Sequence, residues 1–343
     1  MGHLLYLARP ARLADRLTAV LRTAPALVAA AALIHAGAAL AQDPTVVGIA
    51  SFGPHPALSR TIAGFKDELA KQGYIDGKTV EYVYSDANFT PGLIPQSLAQ
   101  VVARHPAVIL TVTTPVAQAS VRNVADRSIP LVFTQVTDPV AAGIVPDWQH
   151  GSDRITGTAS VTDYNAVLAF AKQVFPHAVS FGVLYNAGEV NDVTAIASLK
   201  TAAAKAGMTM VPTSVDSTVD VPQRAATMKG VGFFYAIGSN LVQSSLPAVA
   251  SVMDRMKVPI LSAEHELIKK GNIVAVAYAP SYESQGAHAA DLAVQLLHGR
   301  KPSKLPVYRP QASDYVAIVN RKKMHELDLP IASSLDNCNC FIN

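Results

Sequence analysis

The stretch "ILTVTTPVAQAS", residues 109–120, decides how the chain is read. Ile109, Leu110 and Val112 are strand formers, and a small-residue helical pattern begins at Pro115. Proline suits the first turn of a helix, because its missing N–H would be unpaired there and its φ is already helical. Thr113 and Thr114 stand where strand becomes helix. A helix N-terminus at the end of a strand is a turn signal, and it is also a place that can be presented to a ligand.

The pattern repeats on both sides. "TVVGIAS" (45–51) reads as a strand, followed by a helix with Leu58, Ile62, Phe65 and Leu69 along one face and a stop at Gly73. "TVEYVYS" (79–85) alternates as a strand, a helix carries Leu98, Val101 and Val102, and "PLVFTQV" (130–136) closes the run. The series restarts after "GSDRITGTAS" (151–160) with helix 165–175 and strand 180–186. A helix over 190–206, "MTMVPTSV", "GFFYAIGS", a helix over 241–256, "VPILSA" and "NIVAVAYA" follow. Alternating strands and helices mean parallel sheets covered on both faces. Two such series predict two doubly wound α/β lobes with a cleft between them. A helix over 284–299, a Pro-rich crossing (302–310) and strand 315–320 come last and can return to either lobe.

Ligands of open parallel sheets bind beyond the C-terminal strand ends. That rule selects Ser51, Phe52 and His55, then Thr113, Thr114 and Pro115, then Thr137 and Asp138. From the second series it selects Tyr185, Asn186, Ser239, Asn240, Glu264, and the segment ending in Ser281 and Tyr282. The set is polar, aromatic and small, as expected of a solute pocket. Phe52, Tyr185 and Tyr282 could sandwich the body of a ligand, and the helix starts at 114 and 239 favour an anion.

Arg9, Arg12, Arg16 and Arg22 precede the apolar run 26–41, which ends in Ala39-Leu40-Ala41. This reads as a secretory signal cleaved after Ala41. The run is about 16 residues, short of the roughly 20 that a membrane-spanning helix needs. The four Arg and one Asp of residues 1–41 account for the whole net charge of +3. Without them the chain is neutral, and nothing electrostatic points to nucleic acid or an anionic membrane. Cys338 and Cys340 fit an oxidised pair or a mobile tail in an exported protein better than a metal site.

The catalytic motifs fail on inspection. "GYIDGKT" (73–79) is a residue short of a phosphate loop and precedes a strand. "HEL" (265–267) lacks the second His of a zincin, and no G-x-S-x-G appears. His55, His265 and His288 could serve as bases, but no nucleophile is marked beside them. The reading is of a binding protein and not an enzyme, without cofactor or metal.

"GFKDELAKQGYIDGKTVEYVYSDA", "VTTPVAQAS", "IPLVFTQVTDPVAAGIV", "FGVLYNAGEVNDV" and "VPILSAEHELIKKGNIVAVAY" arrive in order. Together they resemble the solute-binding proteins of ABC transporters in the tryptophan/tyrosine-binding group, from about Thr45 to Pro330. The resemblance implies a type I periplasmic binding protein. Its N-terminal lobe would be 42–158 plus about 284–305, its C-terminal lobe 159–283 plus about 306–332, with a tail at 333–343. It implies a periplasmic monomer that delivers a small solute (an amino acid, aromatic compound or carboxylate) to a permease in the inner membrane. Thr114, Ala117 and Gln118 match the T-P-x-A-Q segment, Asp138 matches T-D-P-V, and Tyr185 and Asn186 match Y-N. Ser239 and Asn240 match a loop that often reads T-D-N, and Glu264 the first Glu of an S-E-E stretch. Ser281 stands where relatives often carry an Asp suited to a ligand ammonium, which makes a carboxylate or neutral aromatic solute more plausible here. A ligand-sensing partner of a membrane signalling protein would share this fold, as would a two-lobed periplasmic enzyme.

Overall fold

The computed structural model describes residues 43–343 together with Met1 and Gly2. The expected export signal falls on residues outside these, apart from Met1 and Gly2.

The first lobe is built from β1 (Thr45–Ser51), α1 (Pro56–Lys71), β2 (Val80–Asp86), α2 (Ile94–Val102), β3 (Val108–Val112), α3 (Thr114–Asn123), β4 (Leu131–Val136) and β5 (Ile155–Ala159). Its strands lie in the order β2-β1-β3-β4-β5, all parallel. β3 and β4 are buried along their whole length, which is why they read as unbroken apolar runs. Ala107 N–H reaches the Val46 carbonyl, and Gly48 pairs with Ile109, fixing the β1–β3 register.

β5 departs from the sequence reading, which took 151–160 as the break between the two series. Its "ITGTA" has a single large aliphatic residue, yet every residue is buried. The hydroxyls make this possible: Thr156 Oγ1 donates to the Leu305 carbonyl, and Thr158 Oγ1 bonds Thr134 Oγ1 at 2.9 Å. Buried polar groups that are satisfied locally are tolerated, and they hide a strand from hydrophobic pattern reading.

The second lobe runs through α4 (Tyr164–Val174), β6 (Ser180–Tyr185), α5 (Val190–Lys205), β7 (Thr209–Ser214), α6 (Val221–Ala226), β8 (Phe233–Ala236), α7 (Asn240–Ser244), α8 (Leu246–Arg255), β9 (Ile260–Ser262), α9 (Glu266–Lys269) and β10 (Val276–Pro280). The helix expected over 241–256 is divided at Ser245, because Pro247 lacks the N–H that would continue the ladder. The core of this lobe includes Phe181 stacked on Phe233, with ring centroids 5.2 Å apart.

α10 (Tyr282–Leu297) then leaves the second sheet and packs on α1, β4 and β5. Residues 305–308 run beside β5, with Ala159 N–H bonded to the Tyr308 carbonyl. The chain therefore crosses back after Tyr308, within the Pro-rich crossing read over 302–310. β11 (Tyr315–Asn320) joins β10 antiparallel, followed by α11 (Arg321–Glu326) and β12 (Phe341–Ile342). The second sheet has the order β12-β11-β10-β9-β8-β6-β7. The expected tail is part of it: Phe341 pairs with Val319, and Cys338 and Cys340 form a disulfide.

Candidate functional site

The starts of α1, α7 and α10 and the N-cap of α3 converge on one cavity between the lobes, about 60 Å³ in volume. That is room for a few waters and far less than a drug-sized ligand occupies. A larger solute needs a wider cleft than this cavity offers.

His55 is the N-cap of α1. Its Nδ1 accepts the Ala57 N–H at 3.2 Å, while Pro56 at the first helical position has no N–H to offer. A ring nitrogen that accepts carries no proton, so the neutral imidazole holds its hydrogen on Nε2. Nε2 is buried and turned toward the Gln243 backbone, with no hydrogen bond of full geometry. Burial pushes the imidazole pKa down, opposed by the Gln243 backbone, so the neutral ring is the favoured form.

Thr113 caps α3 with φ 88° and ψ 157°, a conformation that is essentially glycine's alone. Its side chain makes no capping bond, and Oγ1 is buried without a partner. Gln135, also at positive φ, turns its amide onto Thr61 Oγ1 at 3.0 Å. Such strain concentrates where the surroundings impose it, often at ligand clamps.

Across the cavity, Ser239 caps α7 by accepting the Val242 N–H. One turn on, Gln243 Nε2 donates to the Ala236 and Ile237 carbonyls at 3.1 and 2.9 Å. Both donors are thereby used, which fixes the amide and leaves Oε1 buried without a partner. Tyr282 anchors its hydroxyl on the Ala263 carbonyl, and Gln285, one turn into α10, has Oε1 buried and unbonded. Buried polar atoms are rarely left unpaired, and here several belong to residues that line one cavity.

Of the residues selected from sequence, His55, Thr113, Thr137, Ser239, Asn240 and Tyr282 line this cavity. Phe52 and Asn186 instead line a second interlobe opening shared with Asn240. Phe52 packs edge-on against Phe89, with ring centroids 5.9 Å apart.

The remaining selections do not line this cavity, and most of them are engaged in local bonds. Ser51 Oγ turns to the Gly53 carbonyl, and Thr114 is buried within α3 with its Oγ1 unpaired. Gln118 donates to the Ala142 carbonyl at 2.8 Å. Asp138 accepts the Val140 and Ala141 N–H groups, so it holds its own turn. Tyr185 packs against the core of the second lobe. Glu264 is fully buried and accepts the N–H groups of Glu266 and Leu267, with its pKa pushed up by burial. Ser281 caps α10 by accepting the Ser284 N–H. A strand end supplies ligand contacts and also supplies helix caps, and the sequence rule does not separate the two.

The strand-end rule missed Gln243 and Gln285. A signal for them exists: Ser239-x-x-x-Gln243 and Ser281-x-x-x-Gln285 place a glutamine one helical turn behind an N-cap serine. Residues i and i+4 share a helix face, so the glutamine follows the cap toward the cleft. The rule also missed half-buried Glu189 and buried Asp192. Asn240 Nδ2 donates to Glu189 Oε2, and burial next to Glu189 pushes the Asp192 pKa to about 7. Among the described residues, no group of three or more His, Cys, Asp or Glu is placed to hold a metal ion.

A family model described as ABC transporter substrate binding protein matches residues 46–337. A tyrosine-binding protein of Clostridioides difficile is 28% identical over 284 residues, covering 82% of this chain and 81% of its own. The structure of an ABC domain from Streptococcus pneumonia in complex with L-Trp superposes with a TM-score of 0.80 at 25% identity, over 88% of this chain and 100% of that one. A ligand-free, open substrate-binding protein with adhesive properties from Clostridium difficile superposes with a TM-score of 0.66 at 28% identity, over 87% and 99%. The chain belongs to the ABC transporter substrate-binding protein family.

Proposed function

We propose that this family member is the periplasmic receptor of an ABC importer, acting as a monomer. It holds one small organic solute between its lobes and hands it to a permease in the inner membrane. Export would use the signal read over residues 1–41. The observation that carries the reading is the convergence of His55 and Thr113 from one lobe with Gln243 from the other on a single cavity, each with an unpaired polar atom. A solute that satisfies groups on both lobes binds the closed state better than the open one, and only such differential binding drives closure.

The tyrosine-binding relative and the tryptophan complex put amino acids and aromatic compounds among the candidate solutes. Catalysis has little support from the site. His55 Nδ1 is committed to a helix cap and His265 Nε2 to the Val316 carbonyl, while His288 stacks on Tyr308.

A thermal-shift screen against amino acids, aromatic acids, short carboxylates and neutral heterocycles tests the reading. A solute at about 100 times its Kd adds about 2.7 kcal/mol of stability. At least one is expected to stabilise the protein and to lose its effect in Gln243→Leu. A blank screen, or a shift that Gln243→Leu leaves intact, overturns the proposal.

A further inference from the structure

Resting on that reading, we propose that the solute is uncharged and offers both a hydrogen-bond acceptor and an N–H donor, as carboxamides, lactams and ureas do. Two wall groups have their polarity set by the protein itself. His55 Nε2 is a donor, because Nδ1 already accepts the Ala57 N–H. Gln243 Oε1 is an acceptor, because both amide hydrogens go to the Ala236 and Ile237 carbonyls. Gln285 and Thr113 add an amide and a hydroxyl that can adapt.

Among the described residues, no Asp, Glu, Lys or Arg lines this cavity. A carboxylate could accept from His55 and an ammonium could donate to Gln243, but each would be an ion buried against neutral groups. Burying an ion without a counter-charge costs several kcal/mol, whereas an amide meets the same two groups without that penalty. The first-turn residues of α3, Thr114 to Val116, lie outside the cavity lining, so its free amides do not supply the missing positive charge. The Ser239 hydroxyl already occupies a first-turn amide of α7. Two acids meet wall residues without lining the cavity themselves: Glu189 accepts from Asn240 and Asp192 from Ser239.

Calorimetric titration of the protein at neutral pH with nicotinamide and uracil, against nicotinate and L-tyrosine, tests the inference. The two uncharged probes are expected to bind, and the anion and zwitterion to bind roughly ten-fold more weakly or worse. Gln285→Glu places an anion in the wall without breaking a side-chain bond, and it is expected to raise the affinity for L-tyrosine relative to nicotinamide. If L-tyrosine or nicotinate binds the unaltered protein as tightly as the uncharged probes, the inference is overturned and the receptor reading stands. If none of the four binds, the inference is overturned, and the receptor reading falls with it only when the broader screen is blank too.

Discussion

Arg60 Nε of α1 lies 3.1 Å from Glu266 Oε1 of α9, so a single guanidinium ties the first lobe to the second. Its Nη1 also meets Glu283 on α10 at 2.7 Å. The contact exists only while the lobes are together, which makes it a latch on the closed state. Arg60 is half-exposed, and solvent screens such pairs heavily. Arg60→Ala is expected to change solute affinity by no more than a few-fold, and high salt should erase most of the difference from the unaltered protein. Titrations at low and high salt check both statements.

Thr113 holds a backbone conformation that costs about 1–3 kcal/mol for a residue other than glycine. Thr113→Gly relieves that strain and also removes a hydroxyl from the cavity wall. The solute-free variant is expected to be more stable by about 1 kcal/mol, after the extra chain entropy of glycine is counted. Its affinity is expected to fall. Urea unfolding and titration on the same preparation measure the two effects, and a loss of stability would contradict the strain argument.

Gly286 of α10 rests directly on α1. A Cβ there would stand 1.9 Å from the Thr61 carbonyl oxygen, and one at Gly64 would stand 2.2 Å from that of Glu283. Both obstacles are backbone, so neither can rotate away. Gly286→Ala is expected to cost about 3 kcal/mol by forcing the helices apart. Chemical denaturation reads the loss directly.

His265 donates Nε2–H to the Val316 carbonyl, and burial holds its pKa at about 4 against an ordinary 6.5. Between those values the unfolded chain takes up a proton that the folded protein refuses, so stability falls as pH drops through that window. The component is on the order of 3 kcal/mol across the whole window. His265→Gln keeps a donor but does not titrate. Its stability relative to the unaltered protein should therefore improve on acidification from pH 7 toward about pH 4.5, as denaturation at each pH would show.

Much of the fold was legible because apolar periodicity is loud in β3, β4 and α1, where the core has no polar alternative. β5 was not legible, because Thr156 and Thr158 satisfy their hydroxyls in tertiary contacts that a local pattern does not contain. The site was legible in outline, since strand ends mark the cleft. It blurred at individual residues because Asp138, Glu264 and Ser281 are caps of the kind any α/β protein needs. Gln243 and Gln285 escaped because they lie a turn inside their helices. Their significance also depends on which of their atoms stay unbonded, and only the packed structure decides that.

On the proposed function, His55 and Gln243 together hold a solute between the lobes. The structure of the complex with any solute that passes the thermal screen tests it most directly. A ligand acceptor is expected within hydrogen-bond distance of His55 Nε2, and a ligand donor within the same reach of Gln243 Oε1. A ligand seated elsewhere, such as the groove formed by Tyr278, Arg309 and Tyr315, or contacting one lobe alone, would contradict it.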